Sequence, residues 1–186
     1  MTTLLFVRHG PTEWTGEKRL QGQTDIDLSV SGLAHTAALA PVIAEWRPRT
    51  VITSPLSRTV TTSGLLSELT PIVDERWAEA SLGEWEGRRA DEIGADYLRW
   101  RAGALVPPGG EDPVAVTQRV TAAVASAVQQ PGPVLIVTHG GTIRSVLAHF
   151  VGLTAGRLEP VAAPSLTVLD VEADGAARLR HYNLLG

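Results

Sequence analysis

Two widely separated stretches share one design, and a chain that contains both has few ways to fold. Leu4-Leu5-Phe6-Val7-Arg8-His9-Gly10 is an apolar run that stops on a charged pair and a glycine. Val134-Leu135-Ile136-Val137-Thr138-His139-Gly140-Gly141 repeats the plan, and a helical pattern follows it. Apolar runs this short, bounded by turn-formers, read as buried strands. A parallel strand delivers its last side chains to the carboxyl edge of its sheet, where open α/β folds place their ligands. If the two strands are neighbours, His9 and His139 face each other across one pocket.

Strand and helix patterns alternate through the rest of the chain. Thr50 to Thr53 reads as a second short strand and Pro71 to Asp74 as an edge strand. Ser31 reads as the N-cap of a helix whose apolar face is Leu33, Ala34, Ala37 and Ala38, and which Pro41 should kink or split. Ser54-Pro55 reads as another helix start, with the serine as cap and Arg58 in the first turn, beside a helix N-terminus that attracts anions. Glu75 to Gly87 is irregular, and a helix spans roughly Ala90 to Arg101. Val116, Val120, Val124 and Val128 recur every four residues as one helical stripe. A further helix runs from about Thr142 to Val151, and Ser165 to Asp170 with Ala177 to Tyr182 forms a hairpin around Asp174-Gly175. The alternation predicts an α/β fold with a mainly parallel sheet, to which the hairpin adds an antiparallel strand.

At 186 residues the chain reads as one domain, 1–186. A net charge of −4 provides no basic field for nucleic acid or a membrane surface, so a bound anion must be held by local charge. The absence of cysteine excludes disulfides and thiolate chemistry. No basic leader or transmembrane-length apolar run occurs, and a cytoplasmic protein is expected. A homodimer through the edge near Pro71 stays open, although proline blocks strand edges.

The residues suit phosphoryl chemistry. Arg8 and Arg58 can bind phosphate oxygens bidentately. One neutral imidazole can attack phosphorus, the other can donate to a phosphate oxygen, and a carboxylic acid can protonate the leaving group. Glu79, Glu84 and Glu86 are all close enough in sequence to be that acid. A zinc or iron site is the chemical rival, but Arg8 next to His9 would repel a dication and neither histidine stands in an i,i+4 ligand pair. No metal and no cofactor is called for.

Four ordered motifs carry a resemblance. Leu5 to Gly10, Ser54-Pro55-Leu56-Ser57-Arg58-Thr59, Glu79 with Leu82-Gly83-Glu84-Trp85-Glu86-Gly87, and Thr138-His139-Gly140-Gly141 resemble the histidine phosphatase (phosphoglycerate mutase-like) superfamily. The resemblance implies a three-layer sandwich with helices on both faces of the sheet. It also implies His9 as the phosphorylated nucleophile, Glu79 as proton donor, and Arg8, Arg58 and His139 as the rest of the phosphate pocket, with Gln21, Gly22 and Gly140 contributing. Thr15 stands where many relatives carry a phosphate-contacting Asn, and Pro11 where many carry Glu. Leu20-Gln21-Gly22-Gln23 with Asp27-Leu28-Ser29 looks most like the small bacterial branch that includes α-ribazole phosphatase-like and broad-specificity enzymes.

The expectation is a metal-independent phosphatase acting on a small phosphorylated metabolite. A phosphoglycerate mutase is the first alternative; its relatives carry insertions and a tail that shield the phosphohistidine, whereas this chain ends soon after the hairpin. A non-catalytic phospho-ligand binder is the second. His35 reads as a surface residue, His149 and His181 as structural, and Trp77 and Trp85 as packing residues.

Overall fold

The first strand, β1 (Thr2–Arg8), buries Leu4, Leu5, Phe6 and Val7 completely. A continuous apolar run of this kind marks a strand covered on both faces. In the computed structural model, which describes residues 1–172 and 174–186, one turn of helix follows, α1 (Glu13–Gly16), and then a long helix, α2 (Val30–Trp46). Next come β2 (Thr50–Thr53), α3 (Ser57–Leu66) and the short strand β3 (Ile72–Val73). Two 3-10 turns, Glu75–Trp77 and Gly83–Trp85, lead to α4 (Ala90–Ile93), α5 (Ala95–Arg101) and α6 (Pro113–Ala127). The chain closes with β4 (Val134–Thr138), α7 (Gly140–Val151), β5 (Ser165–Val171) and β6 (Ala177–Leu184).

The strands form one six-stranded sheet in the order β3-β2-β4-β1-β5-β6. The two His-bearing strands are neighbours: β1 and β4 pair in parallel with Arg8 opposite Thr138. β2 and β3 continue the parallel part, and β5 and β6 add the antiparallel hairpin. Side chains alternate between two cores, as the strand period requires. Leu4, Phe6, Val134 and Ile136 face α6 and α7, together with Trp77, Val120 and Ile143. Leu5, Val7, Leu135 and Val137 face the other way, with Leu39 and Ile43 of α2 and Leu66 of α3. The result is the expected sandwich of helices on both faces of a mainly parallel sheet. Among the described residues no helix is long and apolar enough to cross a membrane.

Several local expectations are corrected. The N-cap of α2 is Ser29, whose Oγ accepts from the Gly32 amide at 3.0 Å, while Ser31 is exposed. The buried face of α2 is Gly32, Thr36, Leu39 and Ile43, not the Leu33-Ala34-Ala37-Ala38 face. The reason is close approach to the loop after β1. A Cβ on Gly32 would lie 1.9 Å from the Pro11 carbonyl oxygen, and one on Gly10 would lie 2.0 Å from Thr36 Oγ1. Pro41 does not split α2. It sits on the exposed side, where the carbonyl that it deprives of a donor can bond water. The helix expected over Ala90 to Arg101 is two helices, broken at Gly94, whose φ of +73° suits glycine. Finally, α3 begins at Ser57 with no side-chain cap; Ser54 is committed elsewhere.

Candidate active site

The carboxyl ends of β1, β4 and β2 meet at one edge of the sheet. The pleat continues one residue past each strand, with the His9 amide donating to the Thr138 carbonyl at 3.0 Å and the Ser54 amide to the Val137 carbonyl at 3.1 Å. This places the His9 and His139 rings 5.1 Å apart between centroids, at an interplanar angle of 61°. His9 Nδ1 is 2.7 Å from the Gly10 carbonyl oxygen, which can only accept, so Nδ1 carries the proton and the Nε2 lone pair is free. His139 Nε2 is 2.8 Å from Ser54 Oγ, and Ser54 stands two residues before Leu56, the residue at the N-cap position of α3.

Both histidines are held neutral. Burial lowers the affinity of His9 for a proton well below that of ordinary imidazole, and Arg8 and Arg58 lower it further against the opposing Gly10 bond. Burial acts in the same direction on His139, followed by His9, Arg58 and Arg8. A neutral imidazole with an exposed lone pair is the nucleophilic form.

Arg8 and Arg58 are both taken out of water. Arg58 is fully buried, and its guanidinium donates to the Thr24 carbonyl at 2.8 Å and the Gly22 carbonyl at 2.6 Å. Arg8 donates to the Val161 carbonyl. Burial weakens the charged form of each, and Glu79 opposes that effect in both. Arg8 Nε, Arg58 Nε, His139 Nδ1 and Gln21 Oε1 are buried with no hydrogen-bond partner among the described residues. Buried cations with spare donors need an anion, because an uncompensated buried charge is costly.

A cavity of about 220 Å³ is lined by Arg8, His9, Gln21, Gly22, Arg58, Glu79 and Gly140 among others; His139, fully buried beside His9, is not one of its lining residues. Glu79 borders the cavity, with its carboxylate on the first turn of α7. It accepts from the Gly141 amide at 2.9 Å, the Thr142 amide at 3.1 Å and the Ala80 amide at 3.0 Å. Glu84 is exposed, and Glu86 serves the loop instead. Glu86 accepts from the amides of Gln23, Thr24 and Leu82 and from the Thr24 hydroxyl. Burial works against its charge, but these bonds outweigh it and hold the carboxyl below the usual range. Thr15 does not border the cavity. Its Oγ1 accepts from Gln21 Nε2 at 3.0 Å and from the Thr12 amide at 3.1 Å, so it stands behind Gln21. Among the described residues no three His, Asp or Glu side chains are grouped as metal ligands.

A family model described as histidine phosphatase superfamily (branch 1) matches residues 4–184. The chain belongs to that superfamily. A glucosyl-3-phosphoglycerate phosphatase of Mycolicibacterium vanbaalenii is 35% identical to this histidine phosphatase over 167 residues, 81% of this chain and 74% of that one. A probable phosphoglycerate mutase of Yersinia pestis is 30% identical over 167 residues, 83% of this chain and 77% of that one. The solved structure of a mycobacterial glucosyl-3-phosphoglycerate phosphatase complexed with VO3 superimposes with a TM-score of 0.89 at 32% identity, covering 99% of this chain and 100% of that one.

Tyr97 and Trp100, in the stretch from Glu84 to Trp100 where the sequence places substrate specificity, line the cavity, as do Arg101 and Arg144, which no motif singled out. Arg144 carried one signal in the sequence: it lies four residues after Gly140, so on a helix it shares that residue's face.

Proposed function

We propose that this histidine phosphatase hydrolyses small phosphomonoesters through a phosphohistidine on His9. The observation that supports it most strongly is the Nδ1–H bond from His9 to the Gly10 carbonyl. It fixes the tautomer and leaves Nε2 as a lone pair in a pocket with two arginines. In the first half-reaction Nε2 attacks phosphorus, the P–O ester bond breaks, and the alkoxide leaves with a proton from Glu79. In the second, water attacks the phosphohistidine, Glu79 takes the proton, and the P–N bond breaks to release phosphate. Arg8, Arg58 and His139 offer their spare donors to the charge on the equatorial oxygens. Gly140 also lines the cavity, next to the Arg8 side chain. These steps need no metal or cofactor. A role in processing a cytoplasmic metabolite agrees with the cysteine-free, mildly acidic composition.

A panel of phosphomonoesters assayed with EDTA present, wild type against His9→Ala, tests the reading. Phosphate release by wild type alone is expected, with an acid-labile phosphoryl label on wild type that the variant lacks. Retained turnover in His9→Ala overturns the mechanism. The likeness to a probable phosphoglycerate mutase supports a second reading, in which phospho-His9 passes its group to a bound acceptor. A transfer rate primed by a bisphosphorylated substrate that exceeds hydrolysis would select it.

A further inference from the structure

Glu79 has two jobs in the proposed chemistry, and both need its carboxylate at a fixed place. Regular structure does not hold it there: Ala78 to Leu82 is irregular backbone between the two 3-10 turns. Backbone of this kind keeps one position only when its polar groups are tied to other parts of the chain. Side chains tie them here. Thr138 Oγ1 donates to the Trp77 carbonyl at 2.7 Å, Thr142 Oγ1 to the Ala78 carbonyl at 2.9 Å, and Gln23 Nε2 to the Glu79 carbonyl at 2.9 Å.

The largest share falls to a residue that does not line the cavity. Arg119, on α6, donates through Nη1 to the Arg76 carbonyl at 2.7 Å and to the Ala78 carbonyl at 2.8 Å. Its Nε and Nη2 hold the two oxygens of Glu111 at 2.7 and 2.9 Å. Glu111 is itself anchored, because its amide donates to the Ser81 carbonyl at 2.9 Å. One planar guanidinium thus joins α6, the turn that ends at Gly110, and the backbone on both sides of Glu79. Its bond to the Ala78 carbonyl fixes the plane of the peptide between Ala78 and Glu79, and with it the direction in which the Glu79 side chain leaves the backbone. The ion pair with Glu111 offsets the charge of Arg119, so its main contribution is geometric.

We propose that Arg119 is the positioning residue of the proton donor: by clamping the Arg76 and Ala78 carbonyls it aims Glu79 at the leaving-group oxygen, without touching substrate. Glu111 holds the guanidinium in the plane that this requires. Misplacing a catalytic group by about 1 Å can cost 10²-fold in rate, so a clamp this far from the phosphate pocket still governs the chemistry.

This inference rests on the reading of Glu79 as acid, and the test separates the two. p-Nitrophenyl phosphate leaves as a weakly basic phenolate and needs little protonation, whereas glycerol 3-phosphate leaves as a strongly basic alkoxide and needs the acid. In kcat/KM, Arg119→Ala should lose about 10²-fold on glycerol 3-phosphate and about tenfold less than that on p-nitrophenyl phosphate. Arg119→Lys keeps the charge but cannot hold a carboxylate and two carbonyls in one plane, so its losses should be smaller with the same leaving-group dependence, and it serves alone if Arg119→Ala does not fold. Circular dichroism checks both. Glu79→Ala sets the benchmark, and Arg119→Lys should add little in that background, because the two residues act as one unit. Equal losses on the two esters overturn the proposal, since a loosened or partly unfolded protein loses both alike; so does full additivity with Glu79→Ala. If Glu79→Ala shows no leaving-group dependence, or wild type hydrolyses neither ester, the acid reading fails on its own. The NMR resonances of the Gly141 and Thr142 amides, which donate to Glu79, then decide the positioning role. Shifts in Arg119→Lys toward those of Glu79→Ala uphold it, and unmoved resonances overturn it.

Discussion

Glu79 reaches the first turn of α7 only because residue 141 has no side chain. The Gly141 amide donates to Glu79 Oε2 at 2.9 Å, and a Cβ on Gly141 would lie 2.4 Å from Glu79 Oε1. The glycine after His139-Gly140 thus seats the carboxyl group proposed as acid and base. Gly141→Ala should expel Glu79 and lower kcat by about 10²-fold or more, with the fold kept, because general acid–base catalysis contributes on that scale. Single-turnover phosphorylation and dephosphorylation rates check this, and both should fall.

Arg58 spans the carbonyls of Gly22 and Thr24 while keeping Nε spare. Arg58→Ala should cost ~3–4 kcal/mol of transition-state stabilisation, about 10²- to 10³-fold in kcat/KM. Arg58→Lys should recover little, since an ammonium cannot hold two carbonyls and a phosphate in one plane. Steady-state kinetics on the best substrate measures both.

Glu86 ties Leu82 to Gln23 and Thr24 and so fixes the loop whose carbonyls hold Arg58. Glu86→Ala leaves three amides without their acceptor and should cost about 1–3 kcal/mol. A fall in Tm of about 3–10 °C in a thermal melt would register it. Activity should fall as well, because the Arg58 seat loosens.

His9 and His139 are neutral in the fold, with proton affinities pushed well below the ordinary value of 6.5 by burial. The unfolded chain takes up protons there first. Stability should therefore rise with pH through the region below 6.5, change little from these groups above it, and be lost as pH falls from 6.5 toward 5.5. Denaturant melts at pH 7 and pH 5.5 would show it. Replacing His139 with Asn should shrink the difference, and inorganic phosphate should also reduce it, because a bound anion favours the protonated rings.

The sequence was most legible where residue identity and strand position coincide. Apolar runs ending on His9 and His139 announce their sheet edge, and Ser54-Pro55 followed by Arg58 announces a helix entrance. Glu79 was not separable by spacing from Glu84 and Glu86, because all three sit in irregular backbone where no period assigns a face. Ser54 read as a cap because serine before proline fits one; only the packing of β2 beside β4 shows that it serves His139 instead. Arg144 belongs to no motif, and its place at the cavity emerges only from the packing of α7. The same holds for α2, where contact with the Gly10-Pro11 loop overrode the apolar pattern and put Gly32 and Thr36 inside.

The parallel pairing of β1 with β4 also governs when the chemistry comes into existence. His9 and His139 stand 130 residues apart in the chain, yet the two meet only across that ladder. The long segment between them must close before both rings share one pocket, and closing contacts so distant in sequence slows folding. A fragment that stops short of β4 lacks His139 and the strand that pairs with β1, so it cannot bring the two histidines together.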